Sequence, residues 1–199
     1  MLPATTSWTT VFSDDFNRAD SLTVGNGWGE VEPPGSPAPS ASISGSVLLM
    51  VGGDTGSVAP NPTPAAVVRS QSLSGDFRVT FTFGFPGSLS WVNLYVTTSG
   101  MKWYAMGFQP GFLGIWKDNV ALPGSVSPAL VPARAYSLDV RREGADITVV
   151  LTDTTTSQQW VSAATDESYH DFTAVHLKAG YYVTGATSVT IDNFVLQTR

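Results

Sequence analysis

Trp91, Asn93 and Tyr95 stand at every second position of Trp91-Val92-Asn93-Leu94-Tyr95-Val96. An extended backbone projects these three from one face and Val92, Leu94 and Val96 from the other. Rings that cover the apolar face of a pyranose, with an amide between them for its hydroxyls, are the chemistry of sugar recognition. The competing assignment buries Trp91 and Tyr95 in a core and leaves the valines to a neighbouring subunit. Trp103 joins the row as a fourth candidate. Trp116, Arg78 and Arg141 are further candidates whose facing the sequence leaves open.

Hydrolytic chemistry has less to work with. Retaining glycoside hydrolysis needs two carboxyls about 5–5.5 Å apart. The chain has four glutamates, Glu30, Glu32, Glu143 and Glu167. Glu30 and Glu32 share a face but run into Pro33-Pro34, and Glu143 belongs to a tight turn. Asp54-Thr55-Gly56 matches the aspartic-protease triplet once, whereas that chemistry needs two carboxylates sharing a proton. A glycine-rich turn is the reading preferred there. His170 and His176 are too isolated for a metal site or a triad, and no serine sits in a Gly-x-Ser-x-Gly elbow. Asp14, Asp15, Asn17 and Asp20 have the spacing of oxygen ligands for calcium, but they lack the full Asp-x-Asp-x-Asp-Gly loop and its distal glutamate. Side chains this close in sequence also cap turns.

The elements that must position these residues are strands. Phe77 to Phe85 alternates without a fault, with five bulky residues on one face and Arg78, Thr80 and Thr82 on the other. Asp146–Thr152, Trp91–Val96, Lys102–Phe108, Phe112–Lys117, Tyr136–Arg142, Val47–Val51, Ala66–Ser70, His176–Val183 and Val189–Leu196 follow the same logic. Val47-Leu48-Leu49-Met50 and Val149-Val150-Leu151 lack polar alternation, as strands buried on both faces do. Arg142-Glu143-Gly144-Ala145-Asp146 reads as a hairpin turn, and Pro86-Gly87, Pro110-Gly111 and Pro123-Gly124 as further turns. Asp166 to Phe172 is the one place for a helical turn. Roughly a dozen short strands predict an all-β, two-sheet antiparallel sandwich spanning residues 1–199 as a single domain.

Composition narrows the function classes. Of 199 residues, 42% are hydrophobic and only 13% charged, with ten basic against sixteen acidic side chains. A net charge of −6 lacks the basic footprint that nucleic-acid binding requires. Zero cysteines exclude disulfides, cysteine-ligated zinc, iron–sulfur clusters and thiol nucleophiles. No apolar run reaches the ~20 residues of a membrane-spanning helix. The start, Met1 to Trp8, has neither the basic nor the apolar region of a secretory signal, which predicts a product folded in a bacterial cytoplasm.

Phe12-Ser13-Asp14-Asp15-Phe16-Asn17-Arg18-Ala19-Asp20-Ser21-Leu22, followed by Gly25 and Gly27-Trp28, resembles the start of concanavalin A-like lectin/glucanase domains. Val189 to Leu196 is similar to their last strand, and the hairpin around Glu143-Gly144 to the laminin-G-like version. The resemblance implies a jelly roll whose first and last strands pair, with a binding surface on the concave face of one sheet. It also implies either no cofactor or a structural calcium ion, for which Asp192 on the last strand approaches Asp14 and Asp15. The family's Glu-x-Asp-x-x-Glu glucanase signature is missing, so no enzymatic activity is expected.

Asp-Asp-Phe-Asn-Arg-Ala-Asp with the following Gly-x-Gly-Trp also resembles segments in virion proteins of tailed phages of actinobacteria. That implies a stand-alone tail or capsid-decorating subunit located in the virion, partnered by other virion proteins and by copies of itself, with a host-envelope glycan as a further ligand. The alternative is a carbohydrate-binding module or a glycoside hydrolase.

Overall fold

The structure is a computed structural model that describes residues 7–31, 41–51, 65–85, 87, 90–109, 111–181 and 188–199. In chain order its strands are β1 (Thr9–Asp14), β2 (Gly29–Val31), β3 (Ala41–Ser44), β4 (Val47–Val51), β5 (Ala65–Ser74), β6 (Phe77–Phe85), β7 (Ser90–Thr98), β8 (Trp103–Gln109), β9 (Phe112–Lys117), β10 (Val120–Ala121), β11 (Arg134–Glu143), β12 (Asp146–Asp153), β13 (Gln159–Thr165), β14 (Asp171–Tyr181) and β15 (Ser188–Thr198). All pairings are antiparallel, within two sheets. One sheet runs β13-β12-β11-β6-β15-β4-β3, with β1 also on β15, and the other runs β10-β9-β8-β7-β14-β5-β2.

The sheets face each other because one face of each central strand is apolar. In β6 the alternation is complete, with Phe77, Val79, Phe81, Phe83 and Phe85 all at most 2% exposed. Tyr136, Leu138 and Val140 of β11 and Ile147, Val149 and Leu151 of β12 continue this layer. Against it lie Val92, Leu94 and Val96 of β7, Met106 and Phe108 of β8, and Val175 and Leu177 of β14. Each such side chain, fully buried, stabilises the fold by about 1.5–3 kcal/mol before conformational entropy is charged. Arg142 is buried at one end of this layer, donating from Nη1 to Gly75 O at 3.2 Å and from Nη2 to His170 Nδ1 at 2.8 Å.

First and last strands pair, from Thr9↔Thr198 to Asp14↔Phe194. β4 takes the other end of the same side of β15, from Ser188↔Val51 to Ile191↔Leu48. Between the two, the register of β15 shifts at Asp192–Val195, where Asn193 adopts φ +54°.

Two local expectations change. The segment from Asp166 forms no helix: Asp166 Oδ1 accepts the Ser168 N–H at 2.8 Å, and β14 begins at Asp171. Leu49 and Val150 are partly exposed, so β4 and β12 are buried on one face only. Asp54-Thr55-Gly56 and Glu32 lie outside the described residues. Among the described residues no helix is long and apolar enough to cross a membrane.

Candidate functional site

The outer face of the seven-stranded sheet is assembled by strand register. Tyr95 on β7 lies opposite Ala105 on β8, and Ala105 opposite Trp116 on β9. Trp103, two residues before Ala105, projects from the same face, and its ring centroid is 5.1 Å from that of Tyr95. Beyond Trp116, the residues Asp118 and Asn119 form a two-residue hairpin between Lys117 and Val120, both with positive φ (45° and 71°). Asp and Asn tolerate that conformation, and such turns match the twist of the strands they join. The turn is held down at Asp118, whose Oδ1 accepts the Trp103 N–H at 3.1 Å and whose Oδ2 accepts the Tyr169 hydroxyl at 2.5 Å. The Tyr169 hydroxyl leads the groups that hold the Asp118 carboxyl below its ordinary range.

Together Tyr95, Trp103, Ala105, Gln109, Trp116 and Asn119 line a groove of about 180 Å³. Three aromatic rings and two amides converge there, and none of the lining residues is a carboxylate. The volume is smaller than the roughly 300–1,000 Å³ of enclosed small-molecule sites.

The row expected from alternation therefore divides. Val92, Leu94 and Val96 belong to the core, and Trp91, Asn93 and Tyr95 to the outer face. Tyr95 opens on the groove with Trp103. Trp91 is only 7% exposed, with its indole lying over Gly180, where a Cβ would come within 2.6 Å of the ring. Asn93 is fully buried, and among the described residues neither its amide oxygen nor its nitrogen has a hydrogen-bond partner. It packs against Gly107, where a Cβ would lie 2.3 Å from Val92 O and 2.8 Å from the Asn93 Oδ1. Trp116 lines the groove, but Arg78 and Arg141 do not: both are on the opposite sheet, bonded to Asp139.

Gln109, Asn119 and Lys178 are groove or rim residues that alternation alone did not single out. Asp118-Asn119 between two alternating runs was the available sign of the hairpin. Lys178 lies opposite Asn93 in register, and its Nζ is 4.2 Å from the centroid of Tyr95. Burial draws the Lys178 ammonium below its ordinary range. Next along β14, His176 shares a 3.1 Å hydrogen bond with Thr97 Oγ1. Burial, aided by the charge of Lys178, lowers its imidazole to about 4.

The second place singled out in the sequence is the aspartate-rich segment near the start. Ser13, Asp14, Asp15, Arg18, Asn26 and Asn193 line a depression of about 320 Å³ there. Asp14 is 4% exposed and already fully engaged. Its Oδ1 accepts Arg18 Nη1 at 2.7 Å and the Phe16 N–H at 2.8 Å, and its Oδ2 accepts Arg18 Nη2 and Trp28 Nε1, both at 3.0 Å. Asp15 Oδ1 accepts the Asn17 N–H, and Asp192 Oδ1 accepts the Asn193 N–H. A guanidinium thus supplies the positive charge that calcium would bring, and the residues do not fit a calcium ion. Among the described residues no group of three or more His, Asp or Glu is arranged to hold a metal. What the motif builds is packing, as Trp28 contacts Phe12, Phe16 and Phe194 with centroids 5.1–6.2 Å away.

No protein-family model matches the chain, and no curated protein matches it in sequence. Solved structures do match its fold. The winged bean acidic lectin, in complex with methyl-alpha-D-galactose, superposes with a TM-score of 0.66 at 9% identity over 96% of this chain and 98% of the lectin. The GH43 protein BlXynB of Bacillus licheniformis gives 0.65 at 16% identity over 94% of this chain, but only 39% of the enzyme. The CBM2 module of the evolved Dit of Lactobacillus casei BL23 phage J-1 gives 0.63 at 11% identity over 96% of this chain and 95% of the module. With its two facing antiparallel sheets and paired first and last strands, the chain has the concanavalin A-like jelly-roll fold.

Proposed function

We propose that the chain is a single-sandwich glycan-binding protein of a phage particle, acting without hydrolysis. The observation that carries the binding reading is the convergence of Tyr95, Trp103 and Trp116 with the amides of Gln109 and Asn119 in one open groove. Rings of this kind bury the C–H face of a sugar while amides bond its hydroxyls. The phage Dit module of the same fold supports a virion setting, and attachment in many copies would raise a weak affinity through avidity. Other virion proteins and further copies of this chain are the partners that reading assigns.

The GH43 neighbour favours the alternative, a glycoside hydrolase, but the groove has no carboxylate pair to set about 5–5.5 Å apart. Glu30 Oε1 accepts the Val24 N–H, and Glu143 Oε1 accepts Arg199 Nη2.

A glycan array followed by titration calorimetry tests the binding reading. Trp103→Ala and Trp116→Ala should each weaken the best ligand at least roughly tenfold, the scale of a lost base- or sugar-stacking ring. The reading fails if both variants bind as the parent does, or if the protein releases reducing sugar from its ligand. Mass spectrometry of purified particles tests the virion setting.

A further inference from the structure

The ten basic side chains of this acidic chain are almost all accounted for. Arg18, Arg78, Lys102, Lys117, Arg134, Arg141 and Arg199 are in ion pairs with carboxylates. Arg69 and Arg142 donate to backbone carbonyls. Lys178 stands apart. Among the described residues it has neither an ion pair nor a hydrogen bond, and its ammonium meets only the face of Tyr95, at 4.2 Å.

Among the described residues the outward face around it offers no counter-charge, since Glu30 of β2, beyond β5, lies opposite Val67 and accepts the Val24 N–H. Outward positions of β5 from Ala66 to Ser70, β7 from Trp91 to Thr97, β8 from Trp103 to Gln109, β9 from Phe112 to Trp116 and β14 from Ala174 to Gly180 hold no carboxylate. Asp118 at the groove rim is already shared among Lys102, Tyr169 and the Trp103 N–H. A half-buried ammonium without a counter-ion carries a desolvation cost that an arriving anion would offset, and the pairing gains strength in a site lined by rings.

We propose that the ligand of this face is an anionic glycan, whose carboxylate or phosphate group pairs with Lys178 beside Tyr95 while an adjoining sugar ring stacks in the Tyr95–Trp103–Trp116 groove. This deepens the glycan-binding reading and rests on it. The same chemistry is offered by a uronic-acid polymer and by a phosphodiester-linked one.

Affinity electrophoresis and calorimetry of the full chain against polygalacturonate, a glycerol-phosphate teichoic acid and a neutral galactan test it. At least one anionic polymer should bind roughly tenfold or more tightly than the galactan, and the arm that binds separates carboxylate from phosphate. Lys178→Met should abolish that preference, and Lys178→Arg should restore it. Equal or tighter binding of the galactan, or a preference that survives Lys178→Met, overturns the charge inference and leaves glycan binding standing. Failure to bind these polymers and every glycan of the array overturns both. Should Lys178→Met not fold, the polymer ranking of the parent chain still decides.

Discussion

Asp14 illustrates how one side chain settles what a motif does. Its two oxygens receive four donors, from Arg18, Trp28 and the Phe16 backbone. Removing one member of a buried ion pair leaves the other uncompensated, so Asp14→Ala should cost about 3–5 kcal/mol in urea unfolding. Because Arg18 provides the counter-charge, neither calcium nor a chelator should move the thermal midpoint. His176 contributes to the acid side of the stability curve. Its folded pKa, about 4, is below the ordinary value of 6.5, so the native state resists protonation that the unfolded chain accepts. That stability is fully present above pH 6.5 and is lost as pH falls toward 4, by up to about 3 kcal/mol. Calorimetric midpoints measured from pH 7 to pH 4 should drop more for the parent than for His176→Gln.

At the level of elements, the β8–β7 pair and the β9–β10 hairpin are what shape the groove. Gly107 lies where a Cβ would meet Val92 O at 2.3 Å, and that atom belongs to backbone which no rotamer change can move. Gly107→Ala should therefore destabilise by about 1–3 kcal/mol or more and weaken glycan binding by shifting β7 against β8. Asn119, with φ +71°, separates conformation from contact. Asn119→Gly keeps the turn and should leave the free energy of urea unfolding within about 0.5 kcal/mol while lowering glycan affinity. Strands were legible in proportion to their buried faces. β6, β9 and β4 run over the residues that alternation predicted, Phe77–Phe85, Phe112–Lys117 and Val47–Val51. β13 was not foreseen: it lies at a sheet edge, and Gln159-Trp160-Val161-Ser162-Ala163-Ala164-Thr165 buries only Ser162 fully. Its inward Trp160 and Ala164 pack against the core, but with Ser162 between them and Val161 and Ala163 facing outward the residue types show no period to read.

Across the whole molecule, β15 ties the ends of the chain together, with β6 on one side and β4 and β1 in succession on the other. Pairings such as Thr9↔Thr198 close the longest loops the chain can form, and closure entropy is charged before such contacts stabilise anything. Refolding followed by stopped-flow fluorescence should accordingly take milliseconds to seconds, slower than for helical proteins of this size. The low charge fraction also finds a place at this scale. Outward positions of β6 carry Thr80 and Thr82, and among the described residues the large exposed apolar side chains Val11, Leu22, Met101, Phe112, Val120, Val131 and Val161 come from separate elements.

By itself, the sequence determined the sandwich class, the inward and outward sides of the central strands, and the absence of thiol chemistry and of a basic footprint. These follow from composition and from the two-residue pleat, which is local to each strand. Tertiary structure alone decided which outward residues meet. It separated Arg78 and Arg141 from the aromatic groove, shielded Trp91 and Asn93 while opening Tyr95 and Trp103, and brought Lys178 opposite Asn93. Those neighbours are set by the hydrogen-bond register between strands far apart in the chain, and no local period encodes that register.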